Sequence, residues 1–475
     1  MNVIHLSAEC YPVAKVGGLG DVVGALPKYL NLEGTNSSVV IPFYDRKFVK
    51  ENEFLTVYKG STQVGSTLYD FSILKEKTAK LGFDLYLVYI EGLLDRPEVY
   101  CYPDERAQFI AYQVSFLNWI SDSDEKPDVI HCHDHHSGLV PFMIANCGQF
   151  KNLSRIPTIC TIHNGQYQGW LGWEEMHLLP EFDRSKAGLL DWDRCINSLA
   201  ASVKCCSKFT TVSPSYLQEL SYNSNGLEGL FQMEHAKGSG IINGIDADVW
   251  NPETDAMLVK NYDASTVVVG KKENKKLLCK EFGLSVNKPL IVFIGRLVGE
   301  KGADMLPSII NQTLTQFSGK VNVLVLGSGE PDIEEALTAL LPKFKKQFNL
   351  VVGYNEELSH RMYAGADFLL MPSRVEPCGL NQLYALKYGT VPVVNSTGGL
   401  KDTVIDFEEK GGYGIVFKQA TVVDACQAIS RAMELYSKTT QLTSIRKQMM
   451  ALDFSWNKSA KQYIDLYKSL NSSEI

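Results

Sequence analysis

The chain has 475 residues, more than one hydrophobic core accommodates, so two domains are expected. A composition of 45% hydrophobic and 21% charged residues, with no low-complexity tract, excludes a fibrous or disordered class. A formal net charge of −8 argues against nucleic acid or an anionic membrane as the main partner, and no apolar run approaches the roughly 20 residues that span a bilayer. The opening Met1-Asn2-Val3-Ile4-His5 lacks a basic n-region and leads straight into a strand, so a cytoplasmic location is expected. The eleven cysteines form no C-x-x-C pair, so neither a disulfide framework nor a zinc knuckle is indicated. Most read as reduced, buried thiols.

Strand-like and helix-like runs alternate along the chain, the pattern of parallel sheets built from βαβ units. In the first half, strands are predicted at 3–6, 38–41, 85–90, 129–132, 158–162 and 209–212, with helices at 104–119 and 196–206. Residues 171–194 are irregular and rich in Trp and acidic residues, and read as a surface insertion. A second series follows a plausible hinge at Asn243-Gly244. Its strands are predicted at 290–294, 321–326, 350–352, 368–371, 391–394 and 414–417, with helices at 331–345 and 379–388. An amphipathic helix with Ser455 as N-cap closes the chain at 455–470.

The loop after the first strand carries a cation, Lys15, followed by Gly17, Gly18 and Gly20, and opens onto helical apolar spacing at Val22, Val23, Leu26 and Leu30. Glycines let backbone N–H groups approach a ligand at a helix N-terminus, a combination suited to an anion such as phosphate. The same glycines also serve any tight turn. Gly17-Gly18-Leu19-x-Asp21-x-Val23 recurs as Gly398-Gly399-Leu400-x-Asp402-x-Val404, again after a strand-like run, which suggests two similar α/β halves facing one ligand.

Lys15-Val-Gly17-Gly18-Leu-Gly20-Asp21-Val resembles the signature of bacterial glycogen synthases and plant starch synthases. The likeness continues through His163-Asn164-x-x-Tyr167-Gln168-Gly169, Asn243-Gly-Ile-Asp246, Pro372-Ser373-Arg374-x-Glu376-Pro377-Cys378-Gly379-Leu380 and Thr397-Gly398-Gly399, in order over nearly the whole chain. The resemblance implies an α/β fold of the GT-B type: two Rossmann-like domains facing across a deep cleft, at 1–244 and 245–454, with a C-terminal segment, 455–475, crossing back to the first domain. It also implies transfer of glucose from ADP-glucose to the non-reducing end of an α-1,4-glucan, with retention of configuration and release of ADP. Alternatives within the fold are a UDP-glucose-dependent or sucrose synthase-like enzyme, and outside catalysis a glucan-binding protein.

Such a transfer builds negative charge on the departing diphosphate and positive charge on the sugar ring, so fixed cations and orienting groups are required. Gly295-Arg296-Leu-Val-Gly-Glu-Lys301 supplies Arg296 and Lys301 on a loop entering a helix; Arg offers a planar fork and Lys a compact charge for phosphate oxygens. From the resemblance, Glu376 contacts the donor glucose and steadies the developing charge, and the amides of Cys378, Gly379 and Leu380 hold the sugar. His163 and Lys15 belong at the reacting centre by the same likeness. Gly17, Gly18, Asp21, Asn243 and Gly399 join the donor site, and Thr397 and Gly398 present amides to the diphosphate. Tyr354 either stacks on the base or packs in the core, and Lys275 either binds on the phosphate side or is solvated. Glu9, Asp134 and His136 match acceptor positions. His135 stands where the family motif has Trp, and Leu94 where it has Tyr, which removes aromatic surface from the acceptor side. No metal or other cofactor is expected: Asp191-x-Asp193, Asp246-x-Asp248 and the His131-x-His133-Asp134-His135-His136 run lack a convincing ligand set.

Overall fold

The computed structural model describes residues 1–471, so 472–475, the tail of the expected C-terminal segment, lie outside it. The chain forms two compact units, Met1–Gly244 together with the C-terminal helix, and Ile245–Ser455.

The first unit is built on a nine-stranded sheet. Its strands in chain order are β1 (Asn2–Leu6), β2 (Asn36–Pro42), β3 (Phe54–Val64), β4 (Thr67–Glu76), β5 (Asp84–Tyr89), β6 (Val129–His133) and β7 (Thr158–Ile162). Three short strands, β8 (Trp170–Leu171), β9 (Asp191–Trp192) and β10 (Cys195–Asn197), form a separate sheet, and β11 (Lys208–Thr211) and β12 (Gly238–Gly240) return to the main one. The order is β12-β11-β7-β6-β1-β2-β5-β4-β3. Strands β12 to β5 along that order are parallel, and β5-β4-β3 run antiparallel. Strands β1, β6 and β7 are buried on both faces, which explains their unbroken apolar runs.

The β3–β4 hairpin was not foreseen. Its residues are mostly exposed or half-exposed, so no clean period-2 pattern marks it. The 171–194 region is a small sheet laced with 3₁₀ turns, and the first two residues of the expected helix 196–206 run in strand β10. The expected helix 331–345 ends at Thr338.

The second unit has six parallel strands: β13 (Leu290–Ile294), β14 (Asn322–Gly327), β15 (Phe348–Val352), β16 (Phe368–Met371), β17 (Val391–Asn395) and β18 (Ile415–Phe417). Their order, β15-β14-β13-β16-β17-β18, is the 3-2-1-4-5-6 winding of the doubly wound nucleotide folds. Apolar clusters pack on both faces.

The chain passes between the units twice, and the two passages lie side by side: Ile245 N–H donates to the Phe454 carbonyl at 2.9 Å. The helix Trp456–Asn471 then lays Trp456, Ala460, Tyr463 and Tyr467 against Val22, Leu26, Tyr29 and Leu30 of the helix Gly18–Leu32 and against Val3 and Val129 of the sheet. Burial of that stripe, at about 25 cal/mol per Å² of apolar surface, holds the helix to the first unit.

Candidate active site

In an open parallel sheet, ligands bind beyond the strand C-termini where the winding reverses. In the second unit that point lies between β13 and β16, and their following loops carry Arg296, Lys301 and Glu376. Lys301 Nζ lies 2.6 Å from Glu376 Oε1, and Ser373 Oγ donates to Glu376 Oε2 at 3.0 Å. The two loops are locked together. Gly302 sits at φ +67°, where a Cβ would come within 2.2 Å of the Pro372 carbonyl oxygen. The amides of Arg374 and Val375 donate to the Glu300 carbonyl, and the Arg374 guanidinium forks onto Asp304 at 2.5 and 2.8 Å. Arg296 remains 58% exposed, 3.5 Å from Glu300.

Around the same loops, Gly379 turns at φ +73°, and the Gln382 amide ties down the Cys378 and Gly379 carbonyls. The backbone N–H groups of Gly379 and Leu380 have no acceptor among the described residues. Cys378 is buried. Tyr354 follows β15, is 79% exposed, and donates to Glu356, so it does not pack in the core.

Two expectations for this unit are corrected. Lys275 is neither solvated nor at the phosphate loops: its ammonium is buried 2.6 Å from Asp367, which precedes β16 and accepts from the Leu290 amide and from Arg446. That places it at the strand N-termini, roughly 15 Å of strand away from the loops. The Thr397 and Gly399 amides are also committed, to the carbonyls of Asn395 and Glu376. The Gly399 bond braces the Glu376 loop, and the Thr397 bond closes its own turn.

In the first unit the winding reverses between β1 and β6, and the loops after β1, β6 and β7 bring together Glu9, Lys15, Asp21, Asp134, His136 and His163. Lys15 Nζ lies 2.6 Å from Asp21 Oδ1, with both side chains about one-third exposed. Gly17 is the N-cap of the helix Gly18–Leu32 and offers it no side chain. Glu9 is buried beneath this loop. Its Oε2 accepts from the Val16 and Gly17 amides at 2.6 and 2.9 Å, and Tyr100 donates to Oε1 at 2.6 Å. Glu9 is thus a buried post that shapes the glycine loop, not an open acceptor group.

Asp134 sits at φ +56°, buried, and its Oδ1 accepts from the His163 amide at 2.7 Å. Burial outweighs that bond and pushes its carboxyl up to about 7. The His163 ring is 3.0 Å from His133 Nδ1, and burial lowers it to about 3. His136 is boxed by Tyr100 and Phe109, with ring centroids 4.9 and 4.6 Å away. The His135 ring lies against His136, tilted by 35° at a centroid distance of 3.7 Å, and packs against Gly169, whose φ is +68°, while Leu94 is buried. Asn243, in the chain passage, is buried, and its side-chain oxygen has no partner among the described residues. The Asp191 carboxylate accepts from the Trp173 indole and Asp246 from the Asp248 amide, so both D-x-D pairs serve local structure. Tyr100 carried no sequence signal, because its partner Glu9 is 91 residues away, whereas Ser373 lies inside the 372–380 motif and Gln382 two residues beyond it, so proximity to that motif could have found both.

The repeated Gly-Gly-Leu-x-Asp-x-Val proves topologically inequivalent. One copy follows the first strand of its sheet, and the other follows β17, the fifth of its own. Both units are α/β, but the echo does not mark a duplicated position.

This fold and these loops are those of a GT-B glycosyltransferase. Residues 278–449 match the model for glycosyl transferases group 1, and residues 2–233 that for the starch synthase catalytic domain. A glycogen synthase of Flavobacterium johnsoniae is 50% identical over 98% of both chains. The solved catalytic domain of starch synthase IV from Arabidopsis thaliana, bound to ADP and acarbose, superposes with a TM-score of 0.88 at 31% identity, covering 98% of this chain and 99% of that one. Sucrose-phosphate synthase from Thermosynechococcus elongatus shares the fold, at 16% identity, 99% coverage of both chains and a TM-score of 0.62. The chain belongs to the glycogen and starch synthase family.

Proposed function

We propose that the chain transfers glucose from ADP-glucose to the non-reducing end of an α-1,4-glucan, with retention, and releases ADP in the cytoplasm. The observation that carries this is the Lys301–Glu376 pair at the reversal point of the β13–β18 sheet, with Arg296 on the same loop. A carboxylate held next to a cation suits a reaction that separates charge, since one end must stabilise a leaving diphosphate and the other an oxocarbenium-like ring. In this reading Arg296 and Lys301 take up charge on the diphosphate, and Lys15, paired with Asp21 in the first unit, is a donor-binding cation by the family likeness. Glu376 faces the sugar, held by Ser373 and Lys301. The amides of Gly379 and Leu380 are donors for its hydroxyls. His163 serves at the reacting carbon, and Gly17, Gly18 and Asn243 line the donor site.

Asp134 and His136 with Tyr100 form the acceptor side. An aromatic wall from Tyr100 and His136 suits a glucan, whose sugar faces are apolar and whose rims donate and accept hydrogen bonds. The experiment is product analysis: glucose supplied as labelled ADP-glucose to glycogen should return as labelled maltose on β-amylase digestion. Label that stays in free glucose, or is not released by that enzyme, would overturn the reading.

A further inference from the structure

We infer that His5, His133 and His163 form a line of imidazoles that fixes His163 as a neutral ring presenting Nδ1–H, with His133 and His5 as positioning residues behind it. His163 Nε2 lies 3.0 Å from His133 Nδ1, and His133 Nε2 lies 3.0 Å from His5 Nδ1, with His5 on β1, His133 on β6 and His163 directly after β7. All three rings are buried. A neutral imidazole has one N–H and one lone pair, so each link needs a donor on one side and an acceptor on the other. The protons of the line therefore run in one of two directions. If His163 Nε2 donates inward, the line ends at an N–H on His5 Nε2. If His5 Nδ1 donates outward, it ends at a lone pair there, and His163 carries its proton on Nδ1.

His5 Nε2 decides between them. It is buried and has no hydrogen-bond partner among the described residues. Orphaned buried N–H donors are rarer in proteins than under-satisfied acceptors, so the outward direction is the stable one. The surroundings keep the line neutral. His131 stacks on His133 with ring centroids 4.4 Å apart, and its own nitrogens are held by Tyr467 Oη at 2.8 Å and Thr161 Oγ1 at 2.6 Å. A charge on any ring would face these neighbours without solvent, and burial lowers His5 to about 3 and His131 and His133 well below the usual range. Asp134 meets His163 through its backbone amide, not its ring. The three rings His5, His131 and His133 are close enough to hold a metal, but every nitrogen except His5 Nε2 already has a partner. The cluster is therefore a hydrogen-bond line.

The consequence for catalysis rests on the reading of His163 given above: an Nδ1–H is a fixed donor for a sugar oxygen, at no cost in protonation between pH 5.5 and 8. The tautomer itself does not depend on that reading. The test is long-range ¹H–¹⁵N spectroscopy of the full-length enzyme labelled with ¹⁵N-imidazole histidine, with His163 assigned from His163→Gln. The expected spectrum shows His163 as the neutral Nδ1–H tautomer across that pH range, shifting toward Nε2–H in His133→Phe. In the same variant kcat should fall roughly tenfold to a hundredfold with the KM for glycogen unchanged. An Nε2–H tautomer for His163 in the wild-type protein, which needs no variant to fold, overturns the inference, as does a tautomer unmoved in His133→Phe. Absence of glucosyl transfer with the Nδ1–H tautomer intact would overturn the proposed function and leave the line standing.

Discussion

The two glycine loops give a paired test of how backbone geometry is used. Gly398 has φ +45°, and a Cβ there would lie 2.1 Å from the Glu376 carbonyl oxygen and 2.9 Å from its carbon. Gly17 has φ −140° and nothing within 4 Å of the same position. Gly398→Ala therefore meets a left-handed penalty of about 1–2 kcal/mol and an overpacking cost of about 1–3 kcal/mol, together about 2–5 kcal/mol. At roughly 2–4 °C per kcal/mol for a unit of this size, thermal unfolding of the second unit should fall by about 4–20 °C. The clash also pushes the Glu376 backbone away from the Gly399 amide that holds it at 3.0 Å, and a shift near 1 Å at a reacting group costs about a hundredfold in turnover. Gly17→Ala should leave stability within about 0.5 kcal/mol, as for surface changes generally, and instead raise the KM for the nucleotide sugar by filling the space through which a ligand reaches the loop. The assay is ADP release with glycogen alongside thermal unfolding. A Gly398→Ala protein with normal melting and turnover, or a Gly17→Ala protein with normal KM, would refute the reasoning for its loop.

Arg296→Ala should lower kcat by about 10²–10³, the loss for one charge-stabilising donor. Its unfolding midpoint should be unchanged, because Arg296 is largely exposed and its contact with Glu300 is long. Lys275→Met should destabilise the second unit by about 1.5–3 kcal/mol, because the buried Asp367 loses one charged donor and keeps Arg446, yet leave the KM for the nucleotide sugar of the folded enzyme unchanged. A raised KM without loss of stability would restore Lys275 to the donor site. The first unit should be acid-labile. His5 and His163, lowered to about 3 from 6.5, take up protons only on unfolding. Their contribution is present above pH 6.5 and lost as pH falls from 6.5 toward 3, by about 1.4 kcal/mol per pH unit per ring. Asp134, raised to about 7 from 3.8, has the opposite sign, since its contribution is present below pH 3.8 and lost as pH rises through 7. Between pH 7.5 and 5.5 it offsets about one and a half of these two rings, and the buried rings of His131, His133 and His136, also lowered by burial, add to them. Urea unfolding should therefore show a lower midpoint at pH 5.5 than at pH 7.5, and equal midpoints would contradict the buried histidine count.

Much of the architecture was legible because parallel strands buried on both faces read as unbroken apolar runs. The strands 158–162, 290–294 and 368–371 have the predicted bounds for that reason. The β3–β4 hairpin was not legible, since edge strands with mixed exposure carry no such run. The site followed the same division. Arg296, Lys301 and Glu376 were legible through the family motifs that carry them, since alternation of elements implies parallel strands but not their order, and only the folded sheet sets β13 beside β16. Lys275 was misread because its partner Asp367 is 92 residues away, and a lysine among lysines on a helix gives no sign that one of them faces inward. Glu9 likewise needed Tyr100 and the folded loop before its two oxygens could be accounted for. His5 was read as part of a strand, and only the register of β1 against β6 brings it beside the His131–His133 rings.

The measurement that bears most directly on the function is a donor comparison. The full-length enzyme is given glycogen and either ¹⁴C-labelled ADP-glucose or ¹⁴C-labelled UDP-glucose at equal concentration, with Arg296→Ala run beside it. The account predicts label entering the polymer from ADP-glucose at least tenfold faster than from UDP-glucose, one ADP released per glucose, and near-background incorporation by the variant. Preferential transfer from UDP-glucose, or undiminished incorporation by Arg296→Ala, would contradict it.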